Sequence, residues 1–167
     1  MPSELEMIRC SEGMEEEVLA LVQDAARWLK GRGLDQWLEF LDATRGRSII
    51  EKRFKEGEVY LARDADGNVG TITLQWEDPF WGPLGKDPSC GYLHSVAVLR
   101  RVSGQGIGRE LIGWAEANFR GAGKKKMRLD CMAENGKLVH YYETLGFSQL
   151  STQDWNGKGL VLMEKAL

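Results

Sequence analysis

The most constraining segment of this chain is Ser95-Val96-Ala97-Val98-Leu99-Arg100-Arg101-Val102-Ser103-Gly104-Gln105-Gly106-Ile107-Gly108-Arg109-Glu110-Leu111. An apolar, β-branched run ends in a turn with glycine at 104, 106 and 108. Leu111, Ile112, Ala115, Asn118 and Phe119 then mark one face of a helix over about 106–120. Such a pattern demands a buried strand that feeds a helix through a turn tolerant of positive φ and close backbone approach. The first N–H groups of a helix lack internal acceptors and carry partial positive charge. The junction therefore suits a phosphate or pyrophosphate. A ligand-free tight turn is the plainer reading, but glycine at three alternate positions exceeds what a turn alone requires.

Two common phosphate sites fit poorly. A P-loop needs a lysine after its last glycine, and Arg109 follows Gly108 here. A dinucleotide site needs GxGxxG in an early βαβ unit with an acid some twenty residues on. Asp130 ends a strand at about that distance, but the spacing is GxGxG and the motif lies beyond three strands and two helices.

The remaining elements follow from periodicity and turn chemistry. Residues 5–10 read as a first strand, Ser11 as an N-cap, and Met14, Val18, Leu21, Val22, Ala25 and Leu29 as a helix face that Gly31 and Gly33 terminate. A second helical region covers roughly 35–56, with a break expected near Gly46. Strands over Val59–Arg63 and Val69–Trp76 flank a hairpin turn at residues 64–68. The stretch 78–89 holds three of the four prolines and reads as a loop between strands. Strands over 90–99 and 127–132, a helix over 136–145, and a terminal hairpin of 147–152 and 160–164 complete the order. The parallel crossover between 90–99 and 127–132 beside antiparallel hairpins makes a mixed sheet.

Composition sets limits on function. With 167 residues, 43% apolar and 28% charged, the chain has the makeup of one globular domain over 1–167 rather than a disordered tract. The net charge of −3 and the single basic run Lys124-Lys125-Lys126 argue against nucleic acid as a partner. No apolar stretch is long enough to span a membrane, and the acidic start Met1-Pro2-Ser3-Glu4 is unlike a secretory signal. Cys10, Cys90 and Cys131 are odd in number and far apart, as reduced thiols of a cytoplasmic protein would be. Two histidines, without CxxC or HExxH, lead us to expect no metal. Six tryptophans suit either an aromatic core or a pocket with aromatic walls.

Val96-Ala97-Val98, the turn Ser103-Gly104-Gln105-Gly106-Ile107-Gly108, and Tyr142-Glu143-Thr144-Leu145-Gly146-Phe147 together resemble the GCN5-related N-acetyltransferases (GNAT). The family turn is [QR]-x-x-G-x-[GA]; Gly106 and Gly108 match it, while Ser103 stands where Arg or Gln is usual. That exchange removes one side-chain contact and leaves the backbone donors, with Arg100 or Arg101 as candidates to compensate. The resemblance spans the whole chain. It implies an α/β fold of about seven strands, mostly antiparallel, with a parallel fourth and fifth strand that splay apart and helices on both faces.

The resemblance also implies acetyl-CoA as acyl donor and an amine acceptor. Val96, Ala97 and Val98 would pair with the pantetheine arm, and Ser103, Gly104, Gln105, Gly106, Ile107, Gly108 and Arg109 would hold the pyrophosphate. Asn135 matches a position near the thiol end, and is also a natural N-cap. Tyr142 matches the family tyrosine that protonates the leaving thiolate, or it packs against the cofactor. An alkyl ammonium of pKa ~10.4 is neutral in only about one molecule per few thousand at pH 7, so a base is needed. His94 is similar to the strand histidine of arylalkylamine N-acetyltransferases; Glu77 is its rival. By strand alternation, position 94 shares a face with 96 and 98. Trp37, Trp76, Glu77, Phe80 and Trp81 are candidate walls for a small-molecule or peptide amine, with Asp78 adding charge. The expected activity is N-acetyl transfer; a non-catalytic acetyl-CoA-binding sensor or partner module is the alternative. Homodimers are common among similar proteins.

Overall fold

The computed structural model describes residues 4–167; the first three residues of the acidic amino-terminal segment lie outside it. The strands are β1 (Glu6–Arg9), β2 (Glu58–Asp64), β3 (Gly67–Gln75), β4 (Cys90–Val98), β5 (Lys126–Met132), β6 (Ser148–Trp155) and β7 (Lys158–Ala166). The helices are α1 (Glu15–Lys30), α2 (Ala43–Glu56), α3 (Ile107–Gly121) and α4 (Gly136–Thr144). The strands follow the order β1-β2-β3-β4-β5-β7-β6. Only β4 and β5 pair in parallel among the registered pairs; β1–β2, β2–β3, β5–β7 and β6–β7 are antiparallel. The fold is the mixed α/β class expected from the periodicities. Contacts divide the chain into two compact units.

One unit comprises the chain through Leu74 together with Ser95–Ile112. Its core joins Val18, Leu19, Leu21 and Val22 of α1 to Phe40, Ile50 of α2, Val59 and Leu61 of β2, and Ala97 of β4. The apolar spacing along α1 puts those side chains on one stripe, while Glu15, Glu16 and Glu17 in its first turn complement the helix dipole. Ser11 is not the N-cap that the sequence suggested. Gly13 takes φ +98°, the Ser11 carbonyl accepts from Met14 N at 3.1 Å, and the helix starts one turn later, with Met14 as N-cap. A Glu15 carboxylate oxygen accepts from Gly13 N at 2.9 Å in place of a serine cap.

The break expected near Gly46 lies instead at Asp42. A short 3-10 turn, Leu38–Leu41, ends there, and the Asp42 carboxylate caps α2 by accepting from Arg45 N at 2.8 Å. Gly46 is buried inside α2 because a Cβ would come within 2.8 Å of Leu19 Cδ1 and 2.9 Å of the Phe40 carbonyl oxygen. The glycine lets the helix approach its neighbours rather than ending it.

The other unit comprises Gln75–His94 and Gly113–Leu167. Its β4–β5 ladder runs from Cys90↔Lys126 to Leu93↔Leu129 and stops there. Outside it, β5 pairs with β7 over the whole of its length, and β7 forms the terminal hairpin with β6. Residues 78–89, read as loop, carry a kinked 3-10 segment over Pro79–Lys86. Cys90 and Cys131 are buried free thiols, and Cys10 is a half-buried one. Burial, reinforced by neighbouring carboxylates, pushes Cys10 up to about 11 and Cys131 up to about 12. Among the described residues no helix is long and apolar enough to cross a membrane.

Gly46→Ala tests the packing at α2. Ala normally stabilises a helix interior by about 1 kcal/mol over Gly. Overpacking against the Phe40 backbone costs about 1–3 kcal/mol, so we expect a net loss and a Tm lower by several degrees. Gly113→Ala in α3, where a Cβ meets nothing within 4 Å, should raise Tm. Thermal unfolding of both variants provides the comparison.

Candidate active site

Two sets of groups carry chemistry, one in each unit. In the first unit, β4 leaves its ladder, and Ser95 takes φ +50°. A left-handed non-glycine residue inside a strand is uncommon and marks a local irregularity. It interrupts simple alternation, so the shared face inferred for 94, 96 and 98 does not follow from period two across this residue. Val96, Ala97 and Val98 come next, with Ala97 packed in the core. The chain then makes a 3-10 turn, Arg100–Val102, anchored by Arg100 N donating to Asp24 Oδ2 at 2.8 Å.

Arg100 and Arg32 lie over the Trp28 ring of α1, with guanidinium carbons 3.7 and 4.0 Å from its centroid. Arg100 is thus committed to α1, while Arg101 is exposed. Gly104 and Gly106 have φ +83° and +87°, and a Cβ at either would point into open space. Glu110 N already bonds to the Gly106 carbonyl at 3.1 Å. The amides of Ile107, Gly108 and Arg109 precede it in the first turn of α3, where a helix has no internal acceptor for its N–H groups. Ser103, Gly104 and Gln105 are exposed beside them. An open glycine turn against a helix N-terminus fits an anionic pyrophosphate by main-chain donation.

In the second unit, the segment after β3 is held rigidly. Asp78 N donates to the Gly85 carbonyl at 2.8 Å, closing the 3-10 segment on itself. Gly85 has no room for a Cβ, which would collide with the Asp78 backbone. Arg128 of β5, only 4% exposed, donates through Nη1 to the Leu84 carbonyl at 2.6 Å. Its other nitrogens reach Glu164 of β7 at 2.6 and 2.8 Å and Asp87 at 3.5 Å. The Tyr92 hydroxyl of β4 donates to the same Leu84 carbonyl at 2.6 Å.

This scaffold presents Asp78 and Trp81. Asp78 is buried; its Oδ1 accepts from Phe80 N at 3.2 Å, and its Oδ2 lies 3.0 Å from His94 Nε2. The carboxylate is close to the imidazole but out of line for a hydrogen bond, and Nε2 is shielded from solvent without a bonded partner. Trp81 Nε1 donates to Asp130 Oδ2 of β5 at 2.8 Å. Asp78, His94 and Asp130 each offer one donor atom within 4.8 Å of the others. The arrangement is an imidazole flanked by two carboxylates, suited to accepting a proton and to holding a cation.

The other predicted site residues are placed as follows. Glu77, next to Asp78, is exposed. Trp76 packs edge-on against Phe119 at 5.4 Å, with Lys124 Nζ 5.5 Å from its ring. Phe80 is 41% exposed and lies edge-on to Trp81 at 5.6 Å. Trp37, in the other unit, lies against Phe40 at 6.1 Å. Tyr142 is buried beside Phe147 at 5.8 Å. Burial first, then Cys131, Tyr141 and Asp130, push its phenol well above the usual range, so it keeps its proton. Asn135 caps α4 by accepting from Leu138 N at 3.3 Å. His140 is exposed on α4, 3.6 Å from Glu143.

Asp78 and Asp130 are the carboxylates beside His94 that sequence reasoning did not place there. The available signal was a carboxylate at 130 between the apolar Leu129 and Cys131. For Asp78 there was no signal beyond its place after β3, since Glu77 is equally acidic.

Residues 40–147 match the model of the acetyltransferase (GNAT) family. The uncharacterized N-acetyltransferase YesJ of Bacillus subtilis (strain 168) is 30% identical over 159 residues, covering 91% of this chain and 84% of its own. A GNAT-family acetyltransferase structure from Listeria monocytogenes superposes with TM-score 0.78 at 28% identity, covering 99% of this chain and 96% of its own. A GNAT-family structure from Elizabethkingia anophelis with acetyl-CoA bound shares the fold, with TM-score 0.66 at 17% identity over 98% of both chains.

The scaffold around Arg128 has a pH signature. The Ser89 hydroxyl and N–H, helped by Arg128, hold the Asp87 carboxyl down at about 2. A depressed carboxyl pKa stabilises the fold above the unfolded value near ~4, and that contribution is lost as pH falls toward about 2. Urea unfolding of wild type and Asp87→Asn should show a stability gap at pH 6 that narrows progressively below pH 4.

Proposed function

The chain belongs to the acetyltransferase (GNAT) family, and from that premise we propose that it transfers an acetyl group from acetyl-CoA to a primary amine of a small molecule or peptide by direct attack in a ternary complex. The observation that carries this reading is the imidazole of His94 beside Asp78 and Asp130, two residues before Val96 on one strand.

Amines arrive as ammonium ions, and the attacking form must be neutral. Two carboxylates attract the cation and orient it, and the exposed Phe80 ring next to Asp78 adds aromatic surface that favours a positively charged ligand. His94 takes the proton as nitrogen attacks the thioester carbonyl. The C–N bond forms, negative charge collects on the carbonyl oxygen, and the Val96 N–H is the donor assigned to it. The C–S bond then breaks; the Tyr142 hydroxyl, kept protonated by its burial, gives its proton to the thiolate and regains one from the second proton that the acylated nitrogen sheds. Asp78, rather than Glu77, is the carboxylate beside His94, where its charge stabilises the imidazolium that forms.

The donor is assigned to the first unit. Backbone groups of Val96 and Val98 bind the pantetheine arm, and the amides of residues 104–109 bind the pyrophosphate. Those donors are main-chain, so Ser103 in place of Arg or Gln is compatible with binding. Asn135 contributes as the cap that fixes the start of α4.

A panel of cationic and neutral amines with acetyl-CoA, read by thiol release, tests the reading. We expect turnover on cationic primary amines. His94→Gln should lower kcat/KM by about 10²- to 10⁴-fold, with acetyl-CoA binding retained. Gly106→Val should weaken acetyl-CoA binding instead, seen as loss of the thermal shift that the donor produces. Acetyl-CoA binding without turnover on any amine would replace the enzyme with a binding module.

A further inference from the structure

The trio that faces the amine has the composition of a metal site. Imidazole nitrogen and carboxylate oxygen are donors that Zn2+ takes at about 2.0–2.2 Å. Two ligands at that bond length and a near-right or tetrahedral angle sit roughly 3.0–3.5 Å apart. His94 Nε2 and Asp78 Oδ2 are 3.0 Å apart and are not hydrogen-bonded to each other. A 3.0 Å separation suits two atoms arranged around a common third. The Asp130 donor completes a group within 4.8 Å.

The supporting contacts fit the same purpose. Trp81 Nε1 holds Asp130, and Phe80 N holds Asp78, each by a hydrogen bond that fixes the carboxylate's rotation. Outer partners of this kind orient metal ligands. His94 Nε2 is a buried polar atom with no bonded partner, beside the Asp78 carboxylate. Three ligands leave a fourth position open for water. Mg2+ and Ca2+ prefer an all-oxygen shell of six or more ligands and are disfavoured by one nitrogen and two carboxylates.

We propose that Asp78, His94 and Asp130 form a three-ligand site for a divalent transition-metal cation, Zn2+ foremost, and that its occupancy excludes the amine acceptor. Binding rests on these three side chains alone; the inhibition rests on the acceptor reading above. A bound Zn2+ engages the nitrogen lone pair that would accept the amine's proton and neutralises the carboxylates that would attract the ammonium.

The test uses the full chain stripped of metal and titrated with Zn2+ against a chromophoric chelator, with Co2+ absorption as a second readout. One equivalent should bind, and Mg2+ in excess should not displace it. Asp78→Asn and Asp130→Asn should each weaken uptake on the order of 10-fold or more. His140→Ala, at the exposed histidine, should leave uptake unchanged. Far-UV circular dichroism and the acetyl-CoA thermal shift establish that each variant is folded. No uptake by wild type, or equal uptake by a folded Asp130→Asn variant, would overturn the site. Loss of uptake in His140→Ala would do the same by moving the site to α4. Zn2+ inhibition competitive with the amine supports both proposals. Zn2+ uptake without inhibition keeps the metal site and removes the acceptor assignment; absent uptake with His94-dependent turnover does the reverse.

Discussion

The guanidinium of Arg128 is the contact on which the second unit's chemistry depends. It is buried on β5 and compensated by Glu164 of β7, so its charge is paired inside the sheet. Its Nη1 donates to the Leu84 carbonyl and its Nη2 reaches Asp87, both out in the segment that follows β3. Removing one partner of a buried ion pair leaves an uncompensated charge, which costs more than the pair contributes. The arginine therefore ties an irregular loop to the most regular part of the sheet. Tyr92 adds a second tie to the same carbonyl, and the Asp78–Gly85 bond closes the loop between them. Asp78 and Trp81 inherit their positions from these ties, and through them so do the contacts with His94 and Asp130.

The first unit solves a different problem. Its anion-facing turn is built from backbone, and its neighbouring arginine is engaged elsewhere. Arg100 and Arg32 stack on Trp28, and the Arg100 amide is held by Asp24 of α1. The turn is thereby anchored to the helix that carries the core stripe. Cationic side chains support the turn, while the first main-chain N–H groups of α3 open from it.

Much of the fold was legible because it rests on local rules. The α1 stripe, the β2–β3 hairpin and the terminal hairpin follow from period and turn residues. The misreadings have local causes too. Ser11 is a good cap by type, but Gly13 inserted a turn before the helix could begin. Gly46 looked like a break because glycine usually is one, and only tertiary packing with Leu19 and Phe40 reveals its reason. Spacing and resemblance singled out His94 and Tyr142 as candidates. Asp130 lies 36 residues from His94 in the chain, and parallel strand pairing that no local pattern encodes brings the two together. Asp78 rather than Glu77 meets His94, with its own amide held by the Gly85 carbonyl.

The left-handed turn at Ser95 gives β4 a change of phase midway along its length. Before it, the registered ladder pairs Cys90–Leu93 with Lys126–Leu129 of the parallel neighbour; that ladder does not extend beyond it. A single strand thus carries His94 before the left-handed residue and the Val96–Val98 main chain after it. Side-chain alternation restarts at Ser95, and each half of the strand keeps its own period.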